Sequence, residues 1–131
     1  MALAVPLVAD THQEILDFLG ALAAALSEGN GSGFLERVDR AMPDYYKLAQ
    51  YIDALTAEDE VSCSIDLLKQ DGDGQTQTLQ LDWFLQIHPR DFLGSVESRR
   101  QTVKIRLERK KKKWKIVSLD PITLFAPPGV R

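Results

Sequence analysis

From Val61 onward the apolar residues change their spacing, and this change limits the possible folds more than any other feature of the chain. Between Thr11 and Leu55 they recur every three or four residues; after Val61 they alternate with polar ones. The clearest stretch sets Leu79, Leu81, Trp83, Leu85 and Ile87 against Gln80, Asp82, Phe84, Gln86 and His88. Side chains of a strand point alternately to its two faces, so this run predicts a strand with one buried side, and Trp83 on that side. Helices followed by a meander of strands predict an α+β domain: three N-terminal helices packed on a four-stranded antiparallel sheet.

The helical part has readable limits. Thr11-His12-Gln13-Glu14 has the form of a capping box, which predicts a helix from Thr11 to about Glu28 with residues 1–9 as an N-terminal arm. Ile15, Leu19, Leu22 and Leu26 form its apolar face, and Gly29 offers a left-handed stop. After the loop Asn30-Gly31-Ser32-Gly33, a short helix is expected over residues 34–40 and a third over 44–55, followed by a polar connection at 57–60.

Val61, Cys63, Ile65 and Leu67 predict the first strand, and Asp71-Gly72-Asp73-Gly74 a hairpin turn into the second. Pro89 to Gly94 reads as a loop. Val103, Ile105 and Leu107 mark the third strand, Lys110 to Lys113 a hairpin tip, and Trp114 to Asp120 the fourth strand, with an extended tail to Ala126 and a C-terminal end at 127–131. The fourth strand offers either Trp114 and Ile116 or Val117 and Leu119 to the outer face of the sheet; a two-residue and a three-residue loop at the lysine tip swap the faces, so the register of the third and fourth strands stays open.

A chain of 131 residues is the size of one domain, and no linker divides it. The single cysteine, Cys63, leaves no intramolecular disulfide and no cysteine metal cluster, and its place on the apolar parity predicts a buried, inert thiol. No stretch approaches the roughly 20 apolar residues of a membrane span, and the apolar opening residues lack the basic flank of a signal peptide. An exported chain already stripped of its leader would look the same, so the compartment is open.

Net charge is −3, but residues 1–88 carry 4 Lys/Arg against 15 Asp/Glu, and residues 89–131 carry 12 against 4. Two halves that neutralise each other on folding account for this split. The lysine run has no interleaved aromatic residues and suits a solubilising hairpin tip, so neither nucleic acid nor membrane is expected as a partner.

The order of elements resembles the nuclear transport factor 2-like superfamily, the cone-shaped scaffold shared with ketosteroid isomerases. The resemblance covers about residues 10–126. It is carried by the long first helix closed at Gly29-Asn30, where members often show Gly-Asp, and by Trp114-Lys115-Ile116-Val117, similar to a frequent Trp-basic-Ile strand. It implies a curved sheet wrapped around the helices, a pocket between them, and frequent dimers. Members commonly have a short strand between the second and third helices, for which Arg40-Ala41-Met42-Pro43 leaves little room.

The isomerase pattern places a Tyr inward from the first helix, and this helix has none. Dehydratase-like members use pocket histidines; here His12 and His88 stand at opposite ends of the pattern and read as surface residues. Tyr45 reads as a core aromatic, Asp82 as solvated or paired with a base on the third strand, and Asp120 as a strand-end carboxylate. No catalytic residue, metal ligand or cofactor is therefore assigned. The expectation is a noncatalytic domain binding a small apolar ligand or a protein partner in a helix–sheet pocket lined by Tyr45, Trp83 and Trp114. A homodimer through the sheet would use Phe84 and Ile116. An enzyme of isomerase, dehydratase or hydrolase type, or a structural dimerisation module, are the alternatives.

Overall fold

The computed structural model describes residues 7–90 and 94–128. Helices α1 (Leu7–Ser27), α2 (Gly31–Leu35) and α3 (Tyr45–Glu58) precede strands β1 (Asp59–Gly72), β2 (Thr76–Pro89), β3 (Glu97–Lys110) and β4 (Lys113–Asp120). The strands pair antiparallel in the order β1-β2-β3-β4. Leu79, Leu81, Trp83, Leu85 and Ile87 are all buried on the helix side of β2, as the alternation predicts. They join Ile15, Leu22 and Leu26 of α1 and Leu48, Ile52 and Leu55 of α3 in one core.

Several boundaries differ from the expected ones. Helix α1 already includes residues 7–9 of the expected arm; residues 1–6 lie outside the described residues. Thr11 is therefore a buried residue inside the helix rather than its cap, and Glu14 bonds across to the sheet instead of back along its own turn. The stop at the other end is as read. Gly29 has φ +72°, Asn30 N–H reaches Ala25 O at 2.8 Å and Gly29 N–H reaches Leu26 O at 3.1 Å, the two bonds of a Schellman closure.

Helix α2 begins three residues earlier than expected and ends at Leu35, because the Asn30 side chain accepts from Gly33 N–H at 2.9 Å and starts the turn there. The chain beyond it runs beside β4. Asp39 N–H donates to Ile116 O and Ile116 N–H to Arg37 O, so Val38 forms a single parallel bridge. The short strand for which the sequence left little room is thus present as one bridge, upstream of Met42-Pro43. Helix α3 runs on to Glu58, so the expected polar connection at 57–60 is divided between helix and strand.

Strand β1 extends to Gly72, and the turn is made by Asp73, whose Oδ1 accepts from the N–H groups of Gln75 and Thr76, each at 2.9 Å. Strand β3 starts six residues before the first apolar marker. Its inward Arg99 donates to the carbonyls of Leu124 and Ala126, so no apolar signal marks that stretch. Residues 91–93 of the expected loop and 129–131 of the tail lie outside the described residues. The tail before them is not extended: Ile122–Phe125 form a turn of 3-10 helix that buries Leu124 and Phe125.

The lysine tip is a two-residue loop. Lys110 pairs with Lys113, and Lys111 and Lys112 take φ 50° and 70°, the left-handed pair of a type I′ turn. Beyond it, Leu107 pairs with Ile116 but Arg106 with Ser118, leaving Val117 as a bulge. The extra residue reverses the parity, so Trp114, Ile116 and Leu119 all face inward. Ile116, expected at a dimer interface, is 0% exposed and belongs to the chain's own core.

Candidate functional site

The space between helices and sheet is occupied by the protein's own aromatic rings. Phe34 of α2, Trp83 of β2 and Phe125 of the 3-10 turn are fully buried, with centroids 5.7 Å apart for Phe34–Phe125, 5.1 Å for Trp83–Phe125 and 6.4 Å for Phe34–Trp83. These tilted and edge-on pairs are the arrangements aromatic quadrupoles prefer. Trp83 Nε1 donates to Cys63 Sγ at 3.0 Å. Burial pushes the Cys63 thiol up to about 12, outweighing that hydrogen bond, so it stays protonated at neutral pH and is no nucleophile.

The three residues expected to line a pocket lie in different surroundings. Trp83 is central. Trp114 lies at the hairpin end, where its Nε1 donates to Glu14 Oε1 at 3.0 Å and the Arg109 guanidinium stacks 4.3 Å from its ring. Arg109 also donates to Glu14 at 2.8 Å and to Gly74 O at 2.7 Å, binding the hairpin tip to α1. Tyr45 is half-buried at the start of α3, edge-on to Tyr46 at 5.4 Å.

Open space lies elsewhere, at the end of the molecule where α1 and α3 terminate. A recess of about 490 Å³ is lined by Ser27–Gly29, residues 59–62 of β1, His88 and Arg90. Local rules bring these together: Gly29 ends α1 by its left-handed turn, α3 passes directly into β1, and β1 pairs with the end of β2 so that Glu60 stands opposite His88. Neither α1 nor α3 has a basic residue in its last turn, and the carbonyl ends of helices carry partial negative charge. Arg90 supplies the missing donor for α3: its Nη2 reaches Thr56 O at 3.3 Å and its backbone N–H reaches Glu58 O at 3.4 Å. Glu28, Asp59 and Glu60 on one side and His88 and Arg90 on the other make the recess polar and of mixed charge. It can hold a group that carries hydrogen-bond donors and acceptors, and it offers little apolar wall.

His88 was read as a surface residue at a strand end and is half-buried in this recess; Glu28, Asp59, Glu60 and Arg90 were not singled out at all. Only the acidic run 58–60 hinted at them, since they come from separate elements. The other ionisable candidates lie apart from it. Asp82 is gripped from two sides by Arg100 on the outward face of the sheet, at 2.6 Å from Nη2 and 3.1 Å from Nε, which holds its carboxyl below the usual aspartate range. His12 Nδ1 lies 2.7 Å from Gln70 Oε1 near the opposite end of β1. Asp120 ends β4. Much of the basic run is engaged within the fold: Lys110 pairs with Asp39 at 3.3 Å, Lys115 donates to Glu36 O, and Arg109 is held as described.

No protein-family model matches the sequence, and no curated protein is significantly similar to it. Solved structures are similar in fold. A conserved protein from Planctomyces limnophilus superposes with TM-score 0.76 at 8% identity, over 85% of this chain and 94% of that one. A nuclear transport factor 2-like superfamily protein from Salmonella enterica gives 0.70 at 12%, over 86% and 89%. A proposed scytalone dehydratase from Novosphingobium aromaticivorans gives 0.72 at 8%, over 85% and 82%. Three helices packed on a curved antiparallel sheet, with structural matches of this extent, give the chain the nuclear transport factor 2-like fold.

Proposed function

We propose that this chain is a noncatalytic interaction domain that binds a protein partner through its surface. The observation that carries the reading is the Phe34–Trp83–Phe125 cluster, which fills the place where this scaffold would hold a small apolar ligand. Entry of such a ligand would require displacing side chains that are fully buried and in mutual contact, and packed interiors resist this. The dispersal of Tyr45, His12, Asp82 and Asp120 supports the same reading, because acid–base chemistry needs two groups within hydrogen-bond reach of one substrate atom. The test is a titration of the protein with apolar fluorophores and fatty acids, followed by tryptophan emission and by thermal shift. No saturable response below about 100 μM, roughly 5.5 kcal/mol of binding, is expected. Saturable micromolar binding that shifts Trp83 emission would restore the apolar-ligand reading.

A second reading is favoured by one specific observation: His88 stands opposite Glu60 in register, beside Arg90, in an open recess. Its donors and acceptors suit a polar ligand or acid–base chemistry. A thermal-shift screen of amines and carboxylic acids, repeated on His88→Ala and Arg90→Ala, separates the two readings. A hit lost in both variants would favour the recess.

A further inference from the structure

The two edges of the sheet are finished differently. β4 has 8 residues, carries Lys113 and Lys115, is bent by the Val117 bulge, and has the segment Arg37–Asp39 bonded to its outer side at Ile116. Short length, lysines, bulges and cover are the ways in which natural sheets keep an edge from pairing. β1 has 14 residues, contains no proline, and places its bulge and its one lysine, Lys69, beyond Leu67. Among the described residues, no element pairs with its outer side. From Val61 to Leu67 it is a regular edge left open.

The alternation of ladder hydrogen bonds decides which groups that edge offers. Arg109 N–H donates to Gln75 O at 2.9 Å, and Arg90 N–H to Glu58 O at 3.4 Å. Odd-numbered residues of β2 therefore bond to β3, and even-numbered ones bond to β1 at Glu60, Ser62, Ser64 and Asp66. The N–H and C=O groups of Val61, Cys63, Ile65 and Leu67 are turned the other way, to the open side. Their side chains point inward: Val61 is buried, while Cys63, Ile65 and Leu67 pack against the core and are only half-buried. Helix α1 runs alongside, with His12 meeting Gln70 and, near its other end, Ser27 and Glu28 facing Val61 and Ser62. Leu16, one turn beyond His12 on the same side of the helix, is exposed.

The neighbours that an added strand would meet define its chemistry. Its outward side chains would stand beside Glu60, Ser62, Ser64 and Asp66, all exposed, and no base lies between Asp59 and Leu68. Its inward side chains would join Cys63, Ile65, Leu67 and Leu16. At the Val61 end the recess adds Glu28 and the carbonyl end of α1, which has no basic residue in its last turn. We propose that this edge receives an extended segment of a partner protein, about seven residues in which basic and apolar side chains alternate, paired with Val61–Leu67 as a fifth strand. Main-chain bonds hold a segment bound in this way, and its alternate side chains select it. A second copy offering its own β1 would lay acid beside acid, which charge disfavours.

This inference rests on the protein-binding reading and adds the surface and the chemistry of the partner. The test is amide hydrogen exchange on the whole chain, read residue by residue by NMR. In the free protein, Ser62, Ser64 and Asp66 are expected to be protected, and Cys63, Ile65 and Leu67 to exchange fast. A peptide of about seven residues alternating lysine and valine, at about 1 mM or roughly ten times a Kd of about 100 μM, is expected to slow the fast set about ten-fold. The same peptide with glutamate in place of lysine is expected to leave that set unchanged. In Glu60→Lys/Asp66→Lys the preference is expected to reverse, the glutamate peptide protecting and the lysine peptide not. Both positions are exposed, and retained protection of Ser62 and Ser64 verifies that the variant folds. Cys63, Ile65 and Leu67 already protected in the free protein would mean that a second copy covers the edge, which overturns the inference. No protection by the lysine peptide, or equal protection by both peptides, overturns it equally and leaves binding through another surface intact. Saturable apolar-ligand binding, by contrast, would overturn the protein-binding reading itself.

Discussion

Removing the ring of Phe125 tests whether the interior is filled by design of the fold. The residue is fully buried, closes the cluster against Phe34 at 5.7 Å and Trp83 at 5.1 Å, and comes from the last described turn of the chain. Phe125→Ala leaves every strand pairing in place while deleting a phenyl group from the core. Such truncations cost about 3–5 kcal/mol, part lost transfer energy and part the cavity left behind. At this chain length each kcal/mol moves Tm by roughly 3–5 °C, so a fall of about 10–25 °C is expected. The vacated space is lined by Phe34 and Trp83, and apolar cavities of this kind stay dry and take up small apolar molecules. Benzene or indole at ten times its Kd would then return about 1.4 kcal/mol to the variant and nothing to wild type. Calorimetric or circular-dichroism melts with and without ligand give both numbers. A loss below about 1 kcal/mol, or equal stabilisation of wild type by the ligand, would mean that the cluster does not fill the interior.

Three further outcomes follow from local geometry. At Gly72, φ is +141° and an added Cβ would lie 2.1 Å from Thr76 O, so Gly72→Ala should lower stability by about 1–3 kcal/mol, read as a lower urea midpoint at constant m. At the lysine tip, Lys111→Asn/Lys112→Gly puts residues suited to φ 50° and 70° into the turn and should raise stability by about 1 kcal/mol; a lower midpoint would contradict the two-residue loop. Hydrogen bonds from Arg109 and Trp114 hold the Glu14 carboxyl below the usual glutamate range. A depressed carboxylate stabilises the fold above its unfolded pKa, and this stability is lost as pH falls through the folded value. Glu14→Gln should therefore cost less than about 1 kcal/mol at pH 7, given the exposure of the pair. Urea melts in acid should show the two proteins converging; a difference that persists there would contradict the ion-pair account.

The parts of the fold legible in the sequence are those decided by neighbours along the chain. Alternation from Leu79 to Ile87 turned Trp83 inward because a strand has a period of two, and Gly29 ended α1 because only glycine takes the left-handed turn without strain. The charge imbalance between the two halves was also plain, whereas Cys63, expected to be buried, is only half-buried. Tertiary contacts decided the rest. The bulge at Val117 lets Trp114, Ile116 and Leu119 all reach the core, and no local pattern distinguishes it from plain alternation, so Ile116 was assigned to the wrong face. Arg99 is inward because carbonyls of the C-terminal turn await it, and that turn was read as extended tail. Val38 bridges Ile116 from the far side of α3 and the first three strands. The recess joins residues from the end of α1, the start of β1 and the end of β2, none adjacent in sequence to all the others. Periodicity reports only which way a side chain points from its own element; which residues meet it there is set by how the elements pack.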